Sequence, residues 1–317
     1  MNKRDTVLGL LDKSKEQEYI PAGFFLHFEK AYHKGQPAID KHMEYFRYTG
    51  MDFVKIQYEA VFPPNPDIKK PKDWLNMPFF KKDFYQSQLN IAEGLVKAAK
   101  NEALVIMTLY SSFMMTQYTT QNLQLLTDHM KADPESFKKG MEIITDSLMI
   151  FVKECIRLGV DGFYTSTQGY ESFRALGLDL FSECIKPFDL ALMEEADRSC
   201  IFNILHICDY IGEYGDLAPF GDYPGHVINF GYRLGSKEVT GREISRIFGR
   251  PFMGGLDRNG VMATGGEADI KKSVEKVLAD KPEKFILGAD CTLPEEIDRK
   301  TLWRNAKTAI AAAHGYK

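Results

Sequence analysis

The chain has 317 residues, of which 44% are hydrophobic and 26% are charged, and its formal net charge is −4. This composition is typical of a globular protein whose length can bury a large core. The basic residues are scattered along the sequence and form no stripe that alternates with aromatic residues, so nucleic acid is not an expected partner.

The ends of the sequence and its cysteines indicate the compartment. Residues 1–19 lack the long apolar core of a signal peptide and predict a short amphipathic helix. No apolar stretch approaches the roughly 18 residues that a membrane span needs. The five cysteines are an odd number spread widely along a long chain, which is not a disulfide framework. We therefore expect a cytoplasmic protein without a membrane partner.

Short β-rich runs alternate with segments of helical period along the whole chain. The runs cover residues 22–28, 52–59, 103–112, 161–168, 201–208, 226–233, 251–257 and 284–291. The main segments of helical period cover residues 38–50, 90–101, 136–159, 243–249, 269–280 and 302–315. No linker or low-complexity stretch divides the sequence, so we expect one domain over residues 1–317.

Eight alternations that end on a helix predict an α/β fold, a single (β/α)8 TIM barrel with an N-terminal helical extension. An open doubly wound sheet is the alternative. Such a sheet normally carries a glycine-rich phosphate loop after its first strand, and the sequence HFEKAYHKG at 27–35 is not one. The barrel is therefore the preferred prediction.

A histidine and two cysteines lie where two predicted strands end. His206 and Cys208 close the fifth run, and Cys291 closes the eighth. Because strand side chains alternate between faces, His206 and Cys208 point the same way. The carboxyl ends of barrel strands meet at one rim, so Cys291 can approach them. One imidazole and two thiolates suit zinc, and a fourth position left open is typical of a catalytic ion.

A core position is the simpler explanation for each of these residues taken alone. Buried cysteine is common, and a single histidine is usually just hydrogen-bonded. Their shared position on the catalytic rim favours the metal. The other cysteines, Cys155, Cys184 and Cys200, lie in or beside helical segments, and we expect them to have structural roles.

Four segments carry a resemblance to a known family. FNILHICDY, DYPGHVINF, GRPFMGGLDRNGV and FILGADCTLP resemble the uroporphyrinogen decarboxylase superfamily, a barrel family, and the likeness extends over nearly the whole chain. Within it, the sequence is more similar to the cobalamin-dependent methyltransferase branch than to the decarboxylases. The resemblance implies that His206, Cys208 and Cys291 bind zinc.

The resemblance also implies a reaction. A zinc-bound thiol, which is coenzyme M in some relatives, would take a methyl group from a methylated corrinoid (methylcobalamin type), and other relatives would use an acceptor such as a folate. The sequence contains no corrinoid-binding DxHxxG motif. The corrinoid is therefore expected on a separate corrinoid-binding protein.

Three departures count against the decarboxylase activity, which stays as an alternative. The decarboxylases carry arginines just after the first strand, where this chain has His27 and Lys30. Their conserved aspartate has no clear counterpart, and Glu59 stands nearby. A decarboxylase-like LGHG is replaced by LGADC. A porphyrinogen with eight carboxylates would lack cationic partners here. A non-catalytic barrel that binds a corrinoid or a metal is the third possibility.

Further polar residues at the predicted rim are candidates for the site. Tyr164 is a candidate catalytic residue because the resemblance places a tyrosine in the substrate pocket; a half-buried structural tyrosine is the alternative. His27 and Glu59 are candidate general acids or bases, and Glu59 is also a candidate fourth zinc ligand. The candidate substrate-binding residues are Gln168, Asn229, Gly254, Gly255, Asp257 and Asp290.

Several of these candidates have a second interpretation. Asp257 and Asp290 are also candidates for orienting His206 instead of a substrate amine, since metal-bound imidazoles donate their other N–H to such a partner. The paired glycines either let the backbone approach a ligand or permit a tight turn. The aromatic-rich segment 63–80 is a candidate lid, docking surface or inert excursion.

Overall fold

A curled parallel sheet forms the centre of the protein in the computed structural model, which describes residues 2–167, 177–210, 212 and 214–316. Neighbouring strands follow one another in chain order around the sheet. Its strands are Phe53–Ile56 (β1), Leu104–Tyr110 (β2), Gly162–Thr167 (β3), Ile204–Ile207 (β4), Val227–Asn229 (β5), Phe252–Leu256 (β8) and Phe285–Ala289 (β9). Arg233–Leu234 (β6) and Lys237–Glu238 (β7) form a separate antiparallel pair.

The run 22–28, predicted as a strand, contacts both edges of this sheet through its first residues and completes the barrel, although only Ala22 forms a β-bridge. Ala22 forms a parallel bridge with Leu287, and the Gly23 amide donates to the Leu287 carbonyl at 3.0 Å. On the other side, the amide of Asp52 donates to the carbonyl of Ala22 at 3.0 Å, directly before β1. The run therefore lies between the last and the first strand of the sheet. The predicted TIM-barrel fold is confirmed.

Helices surround the barrel and follow the predicted pattern. They are Lys3–Leu8 (α1), Gly35–Thr49 (α2), Lys82–Ala99 (α3), Ser112–Thr120 (α4), Leu123–Ala132 (α5), Pro134–Leu158 (α6), Leu178–Cys184 (α7), Lys186–Ser199 (α8), Gly241–Phe248 (α9), Val261–Thr264 (α10), Glu267–Ala279 (α11) and Arg299–His314 (α12). Gly50 and Gly159 end α2 and α6 in the left-handed conformation that glycine favours. Among the helices that the structure describes, none has both the length and the apolar composition needed to cross a bilayer.

An apolar cluster fills the barrel interior near the bottom, the end at which the strands begin. Its members are Val7, Leu10, Phe25, Phe53, Leu104, Ile106, Tyr164, Phe202, Ile204, Val227, Met253 and Ile286. These side chains leave the other end, the mouth, as the place where a ligand can enter, as is usual for this fold.

The segment 63–80 is anchored to the core. It contains a 3₁₀ turn, Pro71–Asn76, whose Trp74 is fully buried. The Trp74 indole packs on Phe137 with ring centroids 5.0 Å apart, and its Nε1 donates to Nδ1 of His129 at 3.2 Å. A Cβ at position 140 would lie 2.8 Å from the Trp74 ring, so glycine is needed there. Of the three interpretations of this segment, a packed excursion agrees best with these contacts.

The N-terminal helix closes the bottom of the barrel. Arg4 Nη2 lies 2.7 Å from Oδ1 of Asp161, a side chain that is 1% exposed. The other carboxylate oxygen of Asp161 accepts from the Val105 amide at 2.9 Å. Val7 and Leu10 add their side chains to the interior cluster. The helix is thus tied to the start of two strands by one buried charge.

We expect Arg4→Ala to lower the free energy of unfolding by about 2 kcal/mol, because it removes a charge-assisted partner from the buried Asp161 carboxylate. Urea titration followed by circular dichroism measures the change. Arg198→Ala is the control, since Arg198 is largely exposed and pairs only with Glu195 in the described structure. An equal effect of both substitutions would contradict the role given to Arg4.

Candidate metal centre

Two strand ends bring the predicted ligand residues together. His206 lies in β4 beside Asn229 of β5. The amide of Cys208 donates to the Thr167 carbonyl at 3.0 Å, which extends the parallel ladder past the strand end. Cys291 follows β9 by two residues. The three side chains are buried, with exposed fractions of 2%, 5% and 7%.

Two of the distances among the three side chains are close to those around a tetrahedral ion. Sγ of Cys291 lies 3.3 Å from Nε2 of His206 and 3.9 Å from Sγ of Cys208. One ligand atom from each residue lies within 4.8 Å of the others. Bonds of about 2.3 Å to sulfur and about 2.0 Å to nitrogen, at tetrahedral angles, require a separation of about 3.8 Å between two sulfurs and about 3.5 Å between sulfur and nitrogen. The sulfurs are too far apart for a disulfide, whose bond is about 2.05 Å.

The chemistry of the two thiols also fits a cation. The neighbouring Cys208 and burial hold the pKa of the Cys291 thiol well above its usual range. Two adjacent buried thiols resist ionisation because each thiolate would face the other without water. A divalent ion compensates both negative charges. The remaining cysteines lie apart from the site: Cys155 and Cys184 are buried and Cys200 is half-buried.

An arginine joins the two cysteine-bearing segments. Arg258 Nη1 lies 3.1 Å from Oδ1 of Asp209 and also binds the Asp290 carboxylate, while its amide donates to Oδ1 of Asp290 at 2.7 Å. Asp209 follows Cys208 and Asp290 precedes Cys291. Burial raises the pKa of Asp290 to about 6, and Arg258 opposes this rise. Sequence reasoning missed Arg258, although this residue directly follows the predicted Asp257.

A cavity of about 520 Å³ opens above the three ligand residues at the barrel mouth. Four tyrosines contribute to its wall: Tyr110, Tyr118, Tyr164 and Tyr210. The Tyr164 ring stacks on His206 with centroids 5.0 Å apart, and its hydroxyl donates to Oδ1 of Asn229 at 2.5 Å. The volume is within the range typical of small-molecule sites.

His27 and Glu59 contact each other at this mouth. His27 lines the cavity, and its Nδ1 lies 3.1 Å from Oε1 of Glu59. His33 Nδ1 lies 3.4 Å from the other oxygen, and its Nε2 donates to the Phe28 carbonyl at 2.7 Å. When the Nδ1–H of His27 donates its hydrogen bond to Glu59, the other ring nitrogen, Nε2, carries the lone pair that can accept a proton. Among the described residues, the cluster of ligand atoms does not include Glu59.

Lys55 is a second residue that sequence reasoning missed. It is buried in β1 and lines the cavity, where its Nζ donates to Oε1 of Gln57. The ammonium also lies 4.8 Å from the ring centre of Phe25 and 4.6 Å from that of Tyr164. Burial lowers the pKa of Lys55 to about 7. A lysine within an apolar strand run was the available signal, because such a position is costly without a purpose.

The other predicted substrate-binding residues have internal contacts. Asn229 Nδ2 donates to the carbonyls of Met253 and Ala289, at 2.9 and 3.1 Å. Asp257 accepts from the amides of Asn259 and Gly260. Among the described residues neither Asp257 nor Asp290 contacts His206, whose buried Nδ1 has no hydrogen-bond partner there.

Backbone geometry accounts for the paired glycines. Gly254 and Gly255 have φ values of 148° and 104°, and a Cβ at Gly255 would lie 2.5 Å from the Val277 side chain of α11. Gln168 lies outside the described residues. A role in substrate binding stays a prediction for all six of these residues.

Comparison with known proteins identifies the family of this fold. The family model described as uroporphyrinogen decarboxylase (URO-D) matches residues 48–316. No curated protein matches the sequence. A solved methyltransferase from Methanosarcina mazei has a TM-score of 0.73 at 11% identity, covering 99% of this chain and 98% of its own.

Two further solved structures share the fold. The B12-independent methionine synthase of Shewanella sp. W3-18-1 has a TM-score of 0.57 at 14% identity, covering 93% of this chain and 94% of its own. A putative vitamin-B12 independent methionine synthase of Listeria monocytogenes has a TM-score of 0.56 at 14% identity, covering 93% and 98%. At these identities, the similarity to solved structures shows the fold alone.

Lys55→Met is expected to raise the free energy of unfolding at pH 7 by about 2 kcal/mol, because it replaces a buried amine by an apolar side chain of similar length. The folded-state pKa of Lys55 lies below the unfolded value of 10.5. The wild type therefore gains stability from this group as pH rises from 7 to 10, and the advantage of the variant should shrink over that range. Urea titrations at both pH values measure it.

The matched control is Lys272→Met on the exposed face of α11. It should change the free energy of unfolding little and equally at both pH values. A variant advantage at Lys55 that grows with pH would contradict the lowered pKa.

Proposed function

Because the chain belongs to the uroporphyrinogen decarboxylase (URO-D) family, we propose that it uses the barrel mouth as a zinc-dependent methyltransferase site. The methyl group moves from a corrinoid carried by a separate protein to a thiol or a similar acceptor. The observation that carries the proposal is the buried triangle of His206, Cys208 and Cys291. The solved methyltransferase with a TM-score of 0.73 agrees with this reaction class.

The donor set supports zinc as the metal. His206 Nε2 and the two sulfurs would hold the ion, and three protein ligands leave a position for a substrate. When bound, zinc supplies the positive charge that lets an acceptor thiol lose its proton near neutral pH. Arg258 keeps the two cysteine-bearing segments at the required distance through Asp209 and Asp290.

The residues around the cavity provide the remaining functions. His27, oriented by Glu59, accepts the proton of the acceptor thiol at Nε2. Lys55 places a positive charge beside the incoming thiolate in a buried setting. The acceptor sulfur bonds to the methyl carbon as the carbon–cobalt bond breaks, and the electron pair of that bond stays on cobalt. Tyr164 holds the His206 ring by stacking.

The lining of the cavity argues against a porphyrinogen substrate. In the described part of the mouth, the cations Lys55 and Arg258 face Glu295 and Glu296, and Arg258 is already paired with two carboxylates. Eight substrate carboxylates would therefore meet no excess of positive charge. Desolvating unpaired charges in such a site costs several kcal/mol each.

Purified protein is expected to contain about one zinc per chain, as the three-residue donor set requires. Cys208→Ala and Cys291→Ala should lose the metal while circular dichroism shows a folded barrel. The control Cys200→Ala should retain it, because Cys200 is half-buried and remote from the ligand set. Elemental analysis measures the metal.

The same preparations test the reaction. Transfer of methyl from methylcobalamin to a thiol, lost in both zinc-site variants, supports the proposal. Metal-free protein that releases carbon dioxide from uroporphyrinogen would replace it with decarboxylation. Zinc content without transfer to any of a panel of thiols and folates would favour a non-catalytic binding barrel.

Arg258→Gln is expected to weaken zinc binding by about tenfold or more, since residues that support metal ligands typically contribute that much. Competition with a chromophoric chelator measures the affinity. Arg246→Gln, on the exposed side of α9 at the other end of the barrel, is the control. Unchanged affinity in the Arg258 variant would show that the two segments hold their positions without it.

A further inference from the structure

A second cavity lies at the bottom of the barrel, away from the mouth. Its volume is about 590 Å³. Gly225 and His226 precede β5, Arg250 and Pro251 precede β8, and Lys284 precedes β9, so the cavity lies where these strands begin. Part of α9 and the N-terminal segment complete the wall. The site proposed for methyl transfer shares none of these residues.

The charge of this cavity differs sharply from that of the whole chain. Its charged lining residues are Lys13, Arg242, Arg246, Arg250, Lys281 and Lys284, with Glu283 as the one acidic side chain among them. The chain as a whole has a formal net charge of −4. Basic residues that are scattered in the sequence thus converge on one concavity.

Few carboxylates neutralise these cations. Arg242 Nε lies 3.2 Å from Oδ1 of Asp280. In the described part of the chain, no carboxylate lies within ion-pair distance of the other five basic residues. Arg250 Nη1 donates to the Tyr223 carbonyl at 2.7 Å, and Lys284 Nζ donates to the Lys15 carbonyl, so both side chains are held in place.

Partial burial makes this arrangement costly for the free protein. Burial lowers the pKa of Arg250, and burial together with the Arg242 charge lowers that of Lys281. Like charges gathered in a concave, partly dry surface repel one another more strongly than in water. A bound anion relieves that repulsion.

The cavity also has an apolar part, which is called its apolar floor here. Leu10, Leu11, Pro251 and Pro282 are the apolar side chains of its lining. Arginine forks match the oxygens of phosphate, and the apolar floor can cover an organic ring. The concave shape favours a small molecule over a flat macromolecular surface. We propose that this cavity binds a phosphorylated small molecule of nucleotide class, a function separate from the reaction at the mouth.

Isothermal titration calorimetry of the full chain with inorganic triphosphate and with adenosine triphosphate tests the proposal. Lys13 and Arg246 are the residues to change, because the described structure gives neither of them an ion pair. Lys13→Ala/Arg246→Ala should weaken both ligands by about tenfold or more. Lys272→Ala/Lys300→Ala removes the same charge from exposed positions elsewhere and should leave the affinities unchanged.

Two further comparisons sharpen the test. Lys55→Met should bind both ligands like the wild type, because Lys55 belongs to the mouth. The adenosine ligand should bind more tightly than inorganic triphosphate, because its ring covers the apolar floor.

Several results would overturn the proposal. Equal weakening in the two double variants would reduce the binding to general electrostatics. Loss of binding in the Lys55 variant would move the site to the mouth, and equal affinity for both ligands would remove the organic part of the assignment. Binding of polyglutamate without binding of triphosphate would assign the surface to an acidic protein partner.

Discussion

One guanidinium, that of Arg258, connects the two distant segments on which the site depends. It binds Asp209, next to Cys208, and Asp290, next to Cys291. With an exposed fraction of 8% it is screened little by water, so both ion pairs constrain the backbone strongly. The two pairs restrain the segments that carry the sulfurs, and the 3.9 Å separation of those sulfurs is the geometric basis for proposing a metal there.

The fold and the ligand triangle were predictable because both depend on local rules that the barrel combines. Apolar runs of strand length predicted the strands of the barrel. Because the carboxyl ends of these strands share a rim, Cys291 was expected near His206. Lys55, Arg258 and His33 were not found, because their roles depend on which strands become neighbours. A lysine in an apolar strand run and a basic residue after an aspartate are visible in the sequence, but neither pattern shows which residues the side chain will contact.

The candidate site contains buried groups that lower the stability of the barrel. Lys55 is buried without a carboxylate partner among the described residues, and the pKa of Cys291 is raised by the neighbouring Cys208 and by burial. Proteins usually depart from the local rules for a stable fold at their functional positions, and other interactions compensate for the lost stability. Here the compensation comes from the apolar interior below and from the internally bonded Asn229, which connects Tyr164, Met253 and Ala289.

The hydrogen bonds of Leu287, which accepts from the Gly23 amide and donates to the Pro21 carbonyl, join residues that are more than 260 positions apart in the sequence. During translation the run 22–28 leaves the ribosome long before its partner strand β9 is made. The sheet edge that it forms therefore stays unpaired until β9 appears. Contacts this distant in sequence form slowly, and open strand edges attract other chains meanwhile. Nascent chains of this protein are therefore expected to keep an open, aggregation-prone sheet edge until Leu287 has been synthesised.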